Sequence, residues 1–174
     1  MYYTLNNRYA TIKYNDIEDG EGVCVSFWVQ GCPYHCNGCH NPHTWDFEGG
    51  LELPYNIDDI IIKSINKNGV LRNFSILGGE PLCDQNIELV MHLISKVRSI
   101  YSNSIKIFLW TGRVIECNDK DLYDNNIKFI LDNIDIIIDG PFILEQRDIR
   151  LKLRGSSNQR IWRKDLNNNW FIEE

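Results

Sequence analysis

With 174 residues, 43% of them hydrophobic and 24% charged, the chain has the makeup of a globular protein with one sizeable core. Its formal net charge of -6 argues against bulk nucleic-acid binding, and no apolar run is long enough to span a bilayer. The polar N-terminal stretch MYYTLNNRYATIKYNDIEDGEG carries no signal-peptide core, so the expectation is a cytoplasmic protein with six reduced cysteines, folded as a single domain over residues 1–174.

Val23–Gln30, VCVSFWVQ, is apolar and β-branched and reads as a buried strand. Directly after it, Gly31 to Pro42, GCPYHCNGCHNP, sets Cys32, Cys36 and Cys39 in a C-x3-C-x2-C pattern with no fourth cysteine close behind. Ile57, Ile60, Ile61 and Ile65 then recur at helical spacing, with Gly69 as a stop. Asn73–Leu77 is a short buried strand running into GGEP, Gly78–Pro81. Ile87, Val90, Met91, Ile94, Val97 and Tyr101 line one helix face.

A third strand, Ile105–Trp110, leads to Thr111 and Gly112, and a short helix is expected around Asp119–Asn125. Ile134–Asp139 is a fourth strand, ended by Gly140 and Pro141, and the segments QRIWRK and NWFIEE form a C-terminal β-hairpin. Strands alternating with helices imply a parallel sheet of right-handed βαβ units. Strands that end in polar or glycine-rich loops suggest an α/β fold in the form of an open, partial (β/α) barrel, with the chemistry gathered at the strands' C-terminal ends.

Thiolates bind zinc and iron–sulfur clusters alike. A structural zinc site closes with four protein ligands, and His35 or His40 could complete Cys3His, so a zinc-stabilised binding module stays open as a reading. Zinc ligands usually come as two separated pairs, however, whereas this compact loop wraps one object. A cubane held by three thiolates keeps one iron without a protein ligand, and an open position is the mark of a catalytic rather than a structural metal. On that reading the fourth ligand is the substrate or cosubstrate.

The cysteine motif after one strand and GGEP after the next resemble the radical S-adenosylmethionine superfamily. Within it, FWVQGCPYHCNGCHNPHTWDFEGG, LGGEPL, LWTG and IIIDG resemble the glycyl-radical-enzyme activases, and RGSSNQRIW (Arg154–Trp162) is similar to a C-terminal signature of the activating proteins of anaerobic ribonucleoside-triphosphate reductase. The likeness covers most of residues 16–162. It implies a [4Fe-4S] cluster on Cys32, Cys36 and Cys39, with S-adenosyl-L-methionine between Gly38, Cys39 and His40 on one side and Gly78, Gly79 and Glu80 on the other. Thr111 and Gly112 are further candidates for the cosubstrate. Many relatives carry an aromatic residue where Gly38 stands, so His40 or Tyr34 would take the adenine contact.

The implied reaction is reductive cleavage of S-adenosylmethionine to a 5′-deoxyadenosyl radical, which abstracts hydrogen from a glycine of the reductase. The electron would come from reduced flavodoxin or a similar donor. Activation of another glycyl radical enzyme, such as pyruvate formate-lyase, is the nearest alternative, and CHNPHTWD suits it. Cys24, Cys83 and Cys117 read as free structural thiols, and His43 and His92 as surface or helix residues. Asp139 either touches substrate or caps a turn. The segment from Arg147 to Lys164, with seven basic residues against Asp148, is a solvated face or a docking surface for the reductase. Trp162 and Trp170 are core plugs or interface anchors.

Overall fold

The computed structural model describes residues 7–117 and 125–173, so the helix expected around Asp119–Asn125 falls almost wholly outside the described residues. In chain order the elements are β1 (Arg8–Asp16), β2 (Cys24–Val29), β3 (Leu51–Glu52), α1 (Ile57–Ile65), β4 (Asn73–Gly78), α2 (Ile87–Tyr101), β5 (Ile107–Trp110), α3 (Asn125–Asn133), β6 (Ile136–Asp139), β7 (Arg160–Lys164) and β8 (Trp170–Glu173). The eight strands form one sheet in the order β3-β1-β2-β4-β5-β6-β7-β8, which has two free ends and is not closed.

Only the middle of this sheet is parallel. β2, β4, β5 and β6 run together, with Val25 opposite Phe74, Phe74 opposite Ile107 and Phe108 opposite Ile136. β1 and β3 add antiparallel strands on one flank and β7 and β8 an antiparallel hairpin on the other, so the sheet is mixed rather than parallel throughout. The hairpin follows the sequence expectation. β1 was not expected: its side chains are half-buried or exposed along nearly all their length, which leaves no hydrophobic alternation to read.

The parallel strands are buried on both faces, which explains why they read as continuous apolar runs. On one face Phe27, Val29, Phe74, Ile76, Leu109 and Ile137 join the inward sides of the three helices in the main core. That face is full: Phe27 and Phe74 are completely buried, and truncating either to alanine is expected to cost about 3–5 kcal/mol. The other face carries Ser26, Trp28, Ser75, Leu77, Phe108 and Trp110, and the β1–β2 loop folds across it, with Ser75 Oγ donating to the Asp19 carbonyl at 2.5 Å. Trp28, Leu77 and Trp110 from this second face form part of a cavity wall.

Candidate active site

The cysteine loop begins at the C-terminal end of β2 and is fastened by backbone. Gln30 is fully buried and its Nε2 donates to the carbonyls of His43 and Asp46, at 3.1 and 2.7 Å. Gly31 N donates to Thr44 O at 2.8 Å and Cys32 N to Trp45 O at 3.0 Å, so the far end of the loop is folded back on its start. At Gly31, φ is +95° and the Phe47 ring fills the place of a side chain; any other residue would be strained and would clash. Within the loop, Cys39 N donates to Cys36 O at 3.0 Å, and Asn41 N donates to Cys39 Sγ at 3.3 Å, which orients that sulfur. Burial pushes the Cys32 thiol up, so as a ligand it would rely on the cation it binds to favour the thiolate.

The next parallel strand brings a second loop against the first. Gly79 N donates to Val29 O and Glu80 N to Gly31 O, both at 2.9 Å. A side chain on Gly79 would overlap the Gly31 carbonyl, so the two backbones meet where only glycine fits. Glu80 is 1% exposed. Its Oε1 accepts from Leu82 N at 2.8 Å and Thr111 Oγ1 at 2.6 Å, and its Oε2 accepts from Gly112 N at 2.8 Å. Burial pushes this carboxyl up, while the three donors and the more distant Arg113 favour its ionised form. Glu80 thus ties the ends of β4 and β5 together, and any effect on a ligand's ammonium passes through a carboxylate that is already hydrogen-bonded.

A cavity of about 340 Å³ opens at this edge. Cys32, Cys36, Cys39, His40, Gly78, Gly79, Glu80, Thr111, Gly112 and Tyr34 all line it, so residues from three strand ends meet there. Gly38 is not in the wall. It stands behind the loop at φ +73°, where a Cβ would come within 2.7 Å of Leu144 Cδ1. The roof comes from the segment after β6: Phe142 packs on the His40 ring at 5.2 Å between centroids, and Arg154, Gly155 and Gln159 complete the wall.

Glu18 and Asp19 of the β1–β2 loop also reach the cavity, a contribution that sequence reading missed. Asp19 and Asp16 form a coupled pair beside Lys13, whose Nζ meets Asp19 Oδ2 at 3.0 Å. Burial, with the Asp16 carboxylate beside it, pushes Asp19 up to about 6. Asp16 is held down at about 2 by hydrogen bonds from Ser26 Oγ and from the Glu18 and Asp19 amides, which outweigh its own burial. The available signal was the DG pair after a polar strand, which marks a turn but not its place under the sheet.

Three thiols on one wall, with a glycine junction beside them, are a donor set and a space suited to an iron–sulfur cluster. Among the described residues no three His, Cys, Asp or Glu side chains are grouped to hold a single metal ion. A cubane does not need that convergence, because each thiolate takes its own iron; a closed Cys3His zinc site does. The model of the 4Fe-4S single cluster domain family matches residues 18–162. The chain is 33% identical to the anaerobic ribonucleoside-triphosphate reductase-activating protein of Vibrio cholerae over 152 residues, 87% of this chain and 94% of the relative. The chain belongs to this family of reductase-activating proteins. The Escherichia coli K12 activating protein is 32% identical over 83% of the chain and 90% of its own length, and that of Enterobacteria phage T4 is 33% identical over 84% and 88%.

The remaining sequence expectations concern the frame of this activating protein. Cys24 and Cys117 are buried and Cys83 half-buried, and burial pushes Cys83 up to about 11 and Cys117 up to about 12, so these are protonated thiols at neutral pH. His92 lies on α2 and meets Asp58 of α1 at 2.7 Å. Asp139 is wholly buried and accepts from Ile115 N and Arg160, which assigns it to the fold rather than to a ligand. Trp162 and Trp170 are 5% and 9% exposed and belong to the main core, so neither is an interface anchor. The basic segment is largely neutralised from within: Arg150 pairs with Asp148, Lys152 and Arg163 with Glu21, and Arg160 with Asp139 and Glu116.

Proposed function

We propose that this protein activates an anaerobic ribonucleoside-triphosphate reductase by radical S-adenosylmethionine chemistry, with the open sheet as a partial (β/α) barrel of that type and the chain as a single domain. The observation that carries the reading is the meeting of Cys32, Cys36 and Cys39 with the Gly78–Glu80 loop on one cavity wall, in a chain related over most of its length to reductase-activating proteins. The cysteines would hold a [4Fe-4S] cluster, which when bound supplies the electron that cleaves S-adenosylmethionine to the radical that takes hydrogen from a reductase glycine.

The protein's own part is binding, orientation and exclusion of water. Gly78 and Gly79 line the wall, and their missing Cβ atoms let this loop pack directly on the backbone of Val29 and Gly31, which holds it beside the cysteine loop. Glu80 is the acid of this wall beside the Gly78–Gly79 backbone, and its carboxyl, fixed by the Leu82 and Gly112 amides and the Thr111 hydroxyl, would be the group that meets the ammonium of a cationic cosubstrate. Tyr34 is 42% exposed at the mouth, and His40 is braced by Phe142; either ring can stack on an adenine. Thr111 Oγ1 is committed to Glu80, so its role is to hold that carboxylate rather than the ligand. The open sheet leaves a side entrance for a loop of the reductase, and reduced flavodoxin or a similar donor would supply the electron.

The test is anaerobic reconstitution with iron and sulfide, then reduction with S-adenosylmethionine present. About four irons per chain and release of 5′-deoxyadenosine by wild type but not by Cys36→Ala are expected. One tightly held zinc and no cleavage would overturn the reading.

A further inference from the structure

The cysteine loop has two faces. Cys32, Tyr34, Cys36 and Cys39 line the cavity, whereas Pro33, His35, Asn37 and Gly38, the residues between them, stand outside it and are exposed. The backbone sets this alternation. His35 takes φ +47° and Gly38 φ +73°, so the chain turns at both points, and Cys39 N closes the second turn on Cys36 O at 3.0 Å. A left-handed conformation in a residue other than glycine is costly and persists only where packing enforces it. Here the His35 ring lies on Trp45, 4.8 Å between centroids, and Trp45 O accepts from Cys32 N. The outer face is therefore built in advance.

Its charge differs from that of the rest of the molecule. The chain carries 24 acidic residues and a net charge of -6, yet residues 31–45 contain no Asp, Glu, Lys or Arg. The adjoining turn, whose Leu144 packs against Gly38, adds Glu145 and the exposed Arg147, which offset each other. An acidic partner is repelled by most of such a chain and meets no carboxylate on this loop. The other sides of the cysteines are occupied. The cavity lies on one, and the junction of Gly31 with Glu80 and the Phe47 ring closes another. Cys36 and Cys39 are only half-buried, so the outer face is the side from which a protein can come close to the thiols.

We propose that the outer face of the cysteine loop, centred on His35 and Asn37, is the docking surface for an acidic electron-carrier protein with an exposed redox group. The proposal rests on the cluster of the proposed function and adds the side from which its reducing electron arrives. One electron leaves the reduced carrier, which is oxidised by one step, and the cluster on the loop accepts it.

Asn37 tests this without touching a ligand, because it sits in the Cys36–Cys39 turn at ordinary negative φ with its side chain outside the cavity. The probe is flavodoxin, an acidic flavin carrier, titrated calorimetrically at low ionic strength against the anaerobically reconstituted full chain. Asn37→Glu should bind it about three- to tenfold more weakly than wild type, and Asn37→Lys more tightly by a similar factor. Both differences should fade as salt is raised. Ser95→Glu, on the exposed side of α2, alters the net charge equally and should leave affinity unchanged. Stopped-flow reduction by flavodoxin should follow the same order, whereas photoreduced deazaflavin, a small reductant that needs no docking surface, should reduce every variant alike. Equal weakening by Asn37→Glu and Ser95→Glu would make the effect one of net charge and overturn the assignment. So would flavodoxin binding that ignores Asn37, a wild type that does not bind flavodoxin, or slowed reduction of Asn37→Glu by deazaflavin. Release of 5′-deoxyadenosine with deazaflavin as reductant separates the two readings. Its presence alongside a failed flavodoxin test counts against the docking face alone, and its absence from cluster-loaded wild type counts against the proposed function.

Discussion

Glu80 follows β4 and Asp139 ends β6, and both carboxylates are closed off from solvent, at 1% and 0% exposure. Asp139 is matched by a formal charge: Arg160 Nε and Nη2 reach its two oxygens at 3.0 and 2.5 Å, and Ile115 N adds a third hydrogen bond at 2.6 Å. Glu80 is held by neutral donors only, two backbone amides and the Thr111 hydroxyl. The first arrangement is closed and joins β6 to β7. The second sets an acid held without any counter-charge at the cavity wall beside the cysteine loop. Two acids at strand ends of one sheet are thus held differently, Asp139 by a guanidinium that fixes the hairpin and Glu80 by neutral donors at the wall of the proposed cosubstrate site.

The largest effect belongs to the cavity side. Cys36→Ala should abolish 5′-deoxyadenosine formation and lower the iron bound after reconstitution, with a melting temperature in the absence of iron close to that of wild type. Retention of cleavage in this variant would remove the cavity from the chemistry and erase the contrast. On the structural side, Asp139→Asn leaves the Arg160 guanidinium facing a neutral amide, and a loss of about 2–4 kcal/mol is expected. Denaturant unfolding measures it, and the folded fraction should still bind S-adenosylmethionine with wild-type affinity. A selective loss of affinity there would make Asp139 part of the site.

Glu80→Gln should behave in the opposite sense. One amide hydrogen must face a donor, which costs about 1–2 kcal/mol, and the loss of the acid should weaken S-adenosylmethionine roughly tenfold. A stability loss with unchanged affinity would make Glu80 a second purely structural acid. The smallest effect concerns the floor. The Asp19 carboxyl titrates near 6, above the ordinary 3.8, so the folded state holds its proton more tightly and stability falls as pH rises between these values. Asp19→Asn should therefore raise the melting temperature at pH 7, by an amount equivalent to about 1 kcal/mol, and leave it almost unchanged at pH 4. Asp16, held near 2, has the reverse sign: its contribution is present above 3.8 and disappears as pH falls through 2.

What the sequence made legible is local. The cysteine spacing, the GGEP turn and the apolar runs of β2, β4, β5 and β6 each lie within a few residues, and buried parallel strands announce themselves by composition. The strand β1 escaped because a half-buried strand with mixed side chains has no period to detect, and β3 because it is two exposed residues. α3 lies beyond the helix expected around Asp119–Asn125, with its buried Ile127, Ile130 and Leu131 marking a face that a nine-residue polar stretch hides. Long-range matching was out of reach altogether. Glu21 and Arg163 are 142 positions apart, and that pairing turned a basic segment that reads as a surface into an internally neutralised one.

The most direct measurement mixes the reconstituted protein with an anaerobic ribonucleoside-triphosphate reductase, S-adenosylmethionine and a reductant, and follows the reductase by electron paramagnetic resonance. A glycine-centred radical on the reductase is expected, forming together with 5′-deoxyadenosine and lost with Cys36→Ala. A cluster-loaded protein that produces neither radical nor deoxyadenosine would contradict the assignment of this cavity to radical chemistry.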